Sequence, residues 1–346
     1  MRAMVVEPGR AGSAALAELT GPVGEGDVLV QGLAVGICGT DIEIADGHYG
    51  QAPASSPRLV LGHESVGRVL AAPAGTGLAA GDLVVGIVRR PDPVPCGPCS
   101  MGAWDLCRNG GYTERGIKGL HGFGAERWSI ESAFAVPVDP ALGDAAVLVE
   151  PASVVAKAWD HIERIGARAP IDPRRVLITG AGPVGLLAAL LGTQRDLDVH
   201  VLDQVVDGPK PDLVRDLGAT YHAAIGEVPE PDIVIECTGA PTLVLEVIQR
   251  SAPAGIVCLT GVSTGGRTID VDVGAANRSI VLENDVIFGS VNANRSHYEA
   301  GARALADADG RWLRRLLTRR VPLQSWPDAL HRNPDDVKVL VDLTTR

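Results

Sequence analysis

Cys38-Gly-Thr-Asp41, Gly62-His63-Glu64 and Glu150-Pro151 space one thiol, one imidazole and several carboxylates over the first half of the chain. A thiolate, an imidazole and a carboxylate are the three ligands a catalytic zinc takes from a protein, with a fourth position left for water or substrate. Downstream, Gly180-Ala-Gly182-Pro-Val-Gly185 follows a strand-like run and opens a helical one, the glycine turn on which a dinucleotide pyrophosphate sits. Neither pattern is decisive alone. Together they imply hydride transfer assisted by a Lewis-acid metal.

In the glycine turn, Gly180 permits the tight bend, Gly182 lets pyrophosphate approach the backbone and Gly185 lets helix and strand pack closely. Pro183 suits a first helical turn, where no amide hydrogen is needed, and Val184 completes the motif. Asp203 closes the next strand about 20 residues on, where an acid binds the adenosine ribose hydroxyls. Gln204-Val205-Val206 carries no arginine for a 2′-phosphate, which favours NAD over NADP. The bland alternative is an empty glycine turn whose Asp203 caps a loop. At the metal motif, Asp41 is placed to accept a hydrogen bond from the ligand histidine. Taken singly, Cys38 reads as a small buried residue, His63 as a core histidine and Glu64 as a surface charge. Glu64 beside His63, between Leu59-Val-Leu61 and Val66, fits a plain strand poorly.

The chain that must position these groups has 346 residues, too many for one ordinary core, which suggests two domains. Aromatic residues are only 3%, so Val, Leu, Ile and Ala must fill the cores. A net charge of −11 argues against a nucleic-acid partner. Arg311, Arg314, Arg315, Arg319 and Arg320 interleave with Trp312, Leu313, Leu316 and Leu317, a pattern that reads as an amphipathic helix with a solvated face. The run Val176–Gln194 is uncharged but broken by Gly180, Gly182, Pro183 and Gly185, so no membrane span is expected. The first residues lack a signal-like apolar core, and six cysteines without an export signal favour metal ligation over disulfides; a cytoplasmic protein is expected.

The first 150 residues read as β-rich, with short segments such as Asp27–Gln31 and Gly81–Val88 punctuated by Gly and Pro. Beyond them, Val154–Ile165 reads as helix. Strands at Arg175–Thr179, Asp198–Leu202, Asp232–Glu236, Gly255–Leu259 and Val286–Phe288 then alternate with helices, the first of these from Pro183 to about Arg195. That rhythm means a doubly wound parallel sheet. After a helix from His297, a last strand at Val337–Leu343 is expected to return to the first domain. The division expected is therefore 1–152 with 292–346 for the catalytic domain and 153–291 for the nucleotide-binding one.

Gly36-Ile-Cys-Gly-Thr-Asp41, Leu61-Gly-His-Glu64, Glu150-Pro151 and the glycine motif, in that order over nearly the whole chain, resemble the zinc-dependent medium-chain alcohol and polyol dehydrogenases. Asp46–Gly50, Tyr112–Gly122, Leu148–Pro151 and Gly289–Asn294 are most similar to the archaeal-type glucose dehydrogenases within that family. The resemblance implies a β-rich GroES-like catalytic domain beside a Rossmann domain. It also implies zinc held by Cys38, His63 and Glu150, with Glu64 as an exchangeable ligand or support. Thr40 would meet the reacting hydroxyl; proximity in sequence, apart from the resemblance, suggests a proton route onward through Glu43 or His48. Glu114, Asn292 and His297 would bind sugar hydroxyls or sit where substrate meets nicotinamide; without the resemblance, Glu114 reads equally as a solvated loop charge. The implied reaction is oxidation of an aldose such as glucose, at its anomeric carbon, to the lactone with NAD, by a homodimer or homotetramer.

Cys96-Gly-Pro-Cys99 and Cys107 are similar to the family's structural-zinc lobe, but its first cysteine position holds Pro93. Asp92 is the nearest replacement ligand. An empty lobe and a redox Cys-x-x-Cys pair are the alternatives. Cys237 and Cys258 read as core residues. Two rival functions share many of these features. A polyol, cyclitol or threonine dehydrogenase would differ at Glu114, Asn292 and His297. A non-catalytic NAD-binding sensor would have no reason to keep Cys38, His63, Glu64 and Glu150 together.

Overall fold

The structure is a computed structural model that describes residues 1–263, 265 and 268–345. The chain divides into two units, residues 1–153 with 292–346 and residues 154–291.

The first unit is built on a sheet of seven strands whose long central member is Val28–Ile37. Sequence reading ended this strand near Gln31; the structure carries it through Gly32 and Gly36, where a Cβ would meet the Ala125 carbonyl and the Glu64 side chain. The strand's Val28 and Val30 enter one apolar core with Val69, Phe123 and Trp128. Its Val35 and Ile37 enter another, with Met4, Leu61, Trp326, Val339 and Val341. A ten-residue strand thus spans two cores, and Cys38 emerges at its carboxyl end. On one side the strand pairs antiparallel with Glu64–Ala71, Gly36 lying opposite Glu64. On the other it pairs antiparallel with the C-terminal strand Lys338–Asp342, Ile37 lying opposite Val339. These two pairings set Cys38, Glu64 and Lys338 at one end of the sheet.

The arginine-rich segment departs from expectation. Only Gly310–Leu316 is helical, burying Trp312, Leu313 and Leu316. Leu317–Pro322 is a strand pairing parallel with Lys338–Asp342, so Arg319 and Arg320 belong to a sheet. There they bind Asp336 and Asp342. The helical period of the apolar residues ends at Leu316, and sheet pairing takes over where alternation begins.

In the second unit β1 (Arg175–Thr179), β2 (Asp198–Leu202), β3 (Thr220–His222), β4 (Ile233–Glu236), β5 (Ile256–Leu259) and β6 (Val286–Gly289) form one parallel sheet in the order β3-β2-β1-β4-β5-β6. The helix Pro183–Thr193 follows β1, so the uncharged run around it is strand, turn and helix. Among the described residues no helix is long and apolar enough to cross a membrane.

Close approach at the first unit's sheet yields a prediction. A Cβ on Gly36 would stand 2.1 Å from Glu64 Oε2. Gly36→Ala should therefore push Glu64 off its position and cost about 1–3 kcal/mol, read as a lowered urea midpoint with an unchanged slope.

Candidate active site

Cys38 caps the helix Gly39–Ala45: its Sγ accepts the Thr40 N–H while Asp41 Oδ2 accepts the Cys38 N–H at 3.0 Å. The Cys-Gly-Thr-Asp spacing is thus a capping box that aims the thiol and Asp41 together. His63 Nε2 lies 3.0 Å from Cys38 Sγ, and its Nδ1 lies 3.4 Å from Asp41 Oδ1. Both of these last two atoms are buried without a hydrogen-bond partner. Burial alone would lower the His63 pKa, but the Cys38 and Asp41 charges outweigh it and hold it well above the ordinary value. Burial would likewise raise Asp41; His63 and the Cys38 N–H bring it below the usual carboxylate range.

Ligand atoms of Cys38, His63 and Glu64 lie within 4.8 Å of one another. Glu64 is not a free carboxylate: Lys338 Nζ donates to its Oε1 at 2.6 Å and its Oε2 at 2.5 Å, and to the Ile37 carbonyl at 3.3 Å. Sequence reading missed Lys338. The one available signal was a lysine opening an otherwise apolar strand, which says nothing about its partner. Glu150, in the first turn of the helix Val149–Gly166, stands outside that three-residue group. Its carboxyl is pushed up to about 7, by burial first, with His63 opposing and Glu64 adding to the rise. The donor set fits zinc: a soft thiolate, an imidazole nitrogen oriented by a carboxylate, and anions in excess of the cations around them.

The residues expected to read the sugar form a second cluster. Glu114 Oε1 accepts from Arg89 Nε at 3.1 Å, Arg89 Nη2 at 2.9 Å and Asn292 Nδ2 at 2.8 Å. Glu114 is therefore buried and paired with a cation, not a solvated loop charge. Asn292 adopts a left-handed conformation with φ 62°, which its short amide side chain tolerates. Arg89 also lies over the Tyr112 ring and donates to the Asp105 carbonyl. Asn294 donates to the Asp105 side chain, and its own N–H donates to His297 Nδ1 at 3.3 Å. The next residue, Tyr298, has its phenol raised by burial and then by the Glu150 charge, which links this cluster electrostatically to Glu150. Arg89, Asp105 and Asn294 were not singled out in the sequence; a buried Arg89-Arg90 pair after an apolar strand was their only trace. Thr40 stands in the first turn behind Cys38, but Glu43 and His48 are exposed and neither side chain bonds it. The structure does not assemble that proton route.

Cys96, Cys99 and Cys107 also bring their sulfurs within 4.8 Å of one another. Backbone N–H groups of Arg108 and Cys99 lower the Cys96 thiol to about 7. Asp92 does not join them as the missing ligand. Its Oδ1 accepts the Val94 N–H and its Oδ2 the Gly111 N–H, so its carboxylate is spent holding the loop. Cys237 is raised to about 12 by burial, and Cys258 is raised by the same cause, as inert core thiols are.

At the glycine turn, Gly180 has φ +87°, a Cβ on Gly185 would collide with the Gly180 carbonyl, and the Cβ position of Gly182 faces open space. Asp203 Oδ2 accepts the Ala181 N–H at 2.7 Å and Oδ1 the Val205 N–H at 3.1 Å, tying the end of β2 to the turn. Lys210 Nζ stands 3.6 Å from the same carboxylate, a cation the sequence reading did not weigh.

Residues 24–140 match the alcohol dehydrogenase GroES-like domain and residues 143–343 the glucose dehydrogenase C-terminus. The chain is 40% identical to a glucose 1-dehydrogenase of Thermoproteus tenax over 100% of both chains. It is 38% identical to one of Methanocella arvoryzae over 99% of both. The solved glucose dehydrogenase of Haloferax mediterranei, in complex with NADP, Zn and gluconolactone, superposes over 100% of both chains with a TM-score of 0.91 at 30% identity. The fold is accordingly a GroES-like domain joined to a Rossmann domain, and the chain belongs to the glucose dehydrogenase family of zinc-dependent medium-chain dehydrogenases.

Proposed function

We propose that this protein oxidises an aldose, glucose at its anomeric carbon, to the lactone, passing the hydride to NAD. The observation that carries the reading is the Cys38–His63 contact, backed by Asp41, in a pocket of buried anions. Cys38, His63 and Glu150 would hold the zinc. Lys338 occupies both oxygens of Glu64 and keeps it as the support, whereas among the described residues no cation pairs with Glu150. When bound, the metal supplies the Lewis acidity that lowers the pKa of a sugar hydroxyl. Asp41 fixes the His63 ring, and the partly exposed Thr40 hydroxyl would relay the proton to solvent. Arg89 and Asn292 both donate to Glu114 Oε1, so that the acceptor and amide that would read the sugar are set before it arrives. Asp203 supports NAD, its remaining lone pairs suiting two ribose hydroxyls. Cys96, Cys99 and Cys107 would hold a second zinc, with water completing four ligands.

An aldose and polyol panel, read with NAD and with NADP, tests the reading. Glucose oxidation that favours NAD and vanishes with a chelator is expected; turnover unchanged by zinc removal sinks the mechanism, and preference for NADP sinks the cofactor choice. Cys38→Ser should lose at least about 100-fold in kcat while still binding NAD, and metal analysis should count two zincs in the parent and one in the variant. A parent with one zinc would refute the second site.

Proton and metal compete at Glu150. Its folded pKa of about 7 exceeds the ordinary 4.5, so the folded metal-free protein holds the extra proton between those values. Stability of that form should fall as pH rises through the window, and zinc affinity should rise over the same range. Melting curves with and without zinc from pH 5 to 8 check both slopes, and Glu150→Gln should flatten them.

A homodimer or homotetramer belongs to the same reading. It is supported by the position of β6 at the sheet edge and by exposed Val281 and Leu282 on the helix Val273–Glu283. Light scattering should return at least two chains; a monomer at every concentration would remove it.

A further inference from the structure

Glu236 ends β4, is fully buried, and among the described residues has no cation beside it. Neutral donors hold it instead. Its Oε1 accepts from the Thr179 hydroxyl at 3.1 Å, the Thr238 N–H at 2.7 Å, the Gly239 N–H at 3.1 Å and the Thr238 hydroxyl. Among the described residues its Oε2 accepts only the shared Gly239 N–H, at 3.1 Å. The Glu236 backbone carbonyl accepts from the Thr260 N–H, the Thr260 hydroxyl and the Gly261 N–H. One residue therefore ties together the loops leaving β1, β4 and β5.

The strand order reverses between β1 and β4, and ligands of doubly wound sheets bind outside the strand ends at that reversal. Thr179 and Glu236 close the two strands flanking it, joined by their hydrogen bond. With Asp203 at the end of β2 and the glycine turn after β1, the adenosine half of a dinucleotide lies toward β2. The nicotinamide half must then run the other way, past β4 and β5. Hydroxyl and amide donors of the kind around Glu236 stabilise a carboxylate without cancelling it, so a negative charge held there acts through a medium that screens poorly. Oxidised nicotinamide carries a positive ring and reduced nicotinamide a neutral one.

We propose that Glu236 is a positioning residue whose buried negative charge makes the nucleotide unit bind the oxidised cofactor in preference to the reduced one, favouring release of the reduced product. The inference rests on the cofactor reading given under Proposed function. Glu236→Gln separates charge from scaffold. The amide oxygen can occupy the Oε1 position and keep its donors, while the amide nitrogen replaces the oxygen that has only a shared bond.

Calorimetric titration of the zinc-loaded full chain with NAD⁺ and NADH is the test. Glu236→Gln should weaken NAD⁺ about five- to tenfold, the effect of one unit charge roughly 12–17 Å away at an effective dielectric of about 20, and leave NADH within twofold. Glu236→Ala removes the clamp as well, so both affinities should fall, NAD⁺ further than NADH. Equal factors for both ligands, or no change in the glutamine variant, would show a scaffold only and overturn the proposal. If the parent binds neither ligand, the cofactor reading fails first, and that result is distinguishable because no variant is needed to obtain it.

Discussion

The ammonium of Lys338, enclosed between both oxygens of Glu64 and the carbonyl of Ile37, is the contact on which the first unit's chemistry depends. It joins the last strand of the chain to the strand that opens beside His63, across the strand that delivers Cys38. Removing one partner of such a buried pair leaves an uncompensated charge and costs about 3–5 kcal/mol. The pair therefore specifies register as much as stability. A slip of one residue would turn Lys338 to the other face of its strand and leave Glu64 buried without a cation. Glu64 can hold its place beside Cys38 and His63 only once the C-terminal strand has folded back to bring Lys338 to it.

The same pair sorts the carboxylates. Glu64 belongs to the group with Cys38 and His63 but already has a cation; Glu150 stands outside that group and, among the described residues, forms no ion pair. Around them the anions outnumber the cations, and each responds differently. Asp41 is held ionised by His63 and the Cys38 N–H, whereas Glu150 answers burial by moving its pKa toward neutrality. A divalent cation would resolve the imbalance, displacing the proton that burial favours on Glu150. The electrostatics of the protein chain thus anticipate the ion, and its affinity is set partly by residues that never touch it.

Much of this was legible in the sequence where residue type alone decides geometry. The glycines at 180, 182 and 185 state their reasons locally, and β1 and β2 have the bounds their apolar runs suggest. Cys38 and His63 could be paired because few other roles suit both. What could not be read were partnerships across long sequence distance: Lys338 with Glu64, Arg89 with Glu114, Asn294 with Asp105. Each depends on which strands become neighbours, and side-chain period carries no record of that. The misjudged segments failed for related reasons. Val28–Ile37 continues through its glycines because neighbouring side chains need the space, and Leu317–Pro322 is a strand because Lys338–Asp342 is there to pair with it. Asp92 sits beside the cysteines in sequence, yet its loop needs both its oxygens.

Two buried anions, one in each unit, show the alternatives open to a protein that must keep a charge inside. Glu64 is neutralised by an ammonium and so contributes little field beyond its immediate neighbours. Glu236 is solvated by hydroxyls and amides, which stabilise the carboxylate without cancelling it. A paired charge serves register and packing; an unpaired one acts at a distance. If stability were the only requirement at the end of β4, a neutral amide could satisfy nearly the same donors without the desolvation penalty of an ion. The presence of the acid there, at the reversal of strand order, is accounted for by something with positive charge to attract.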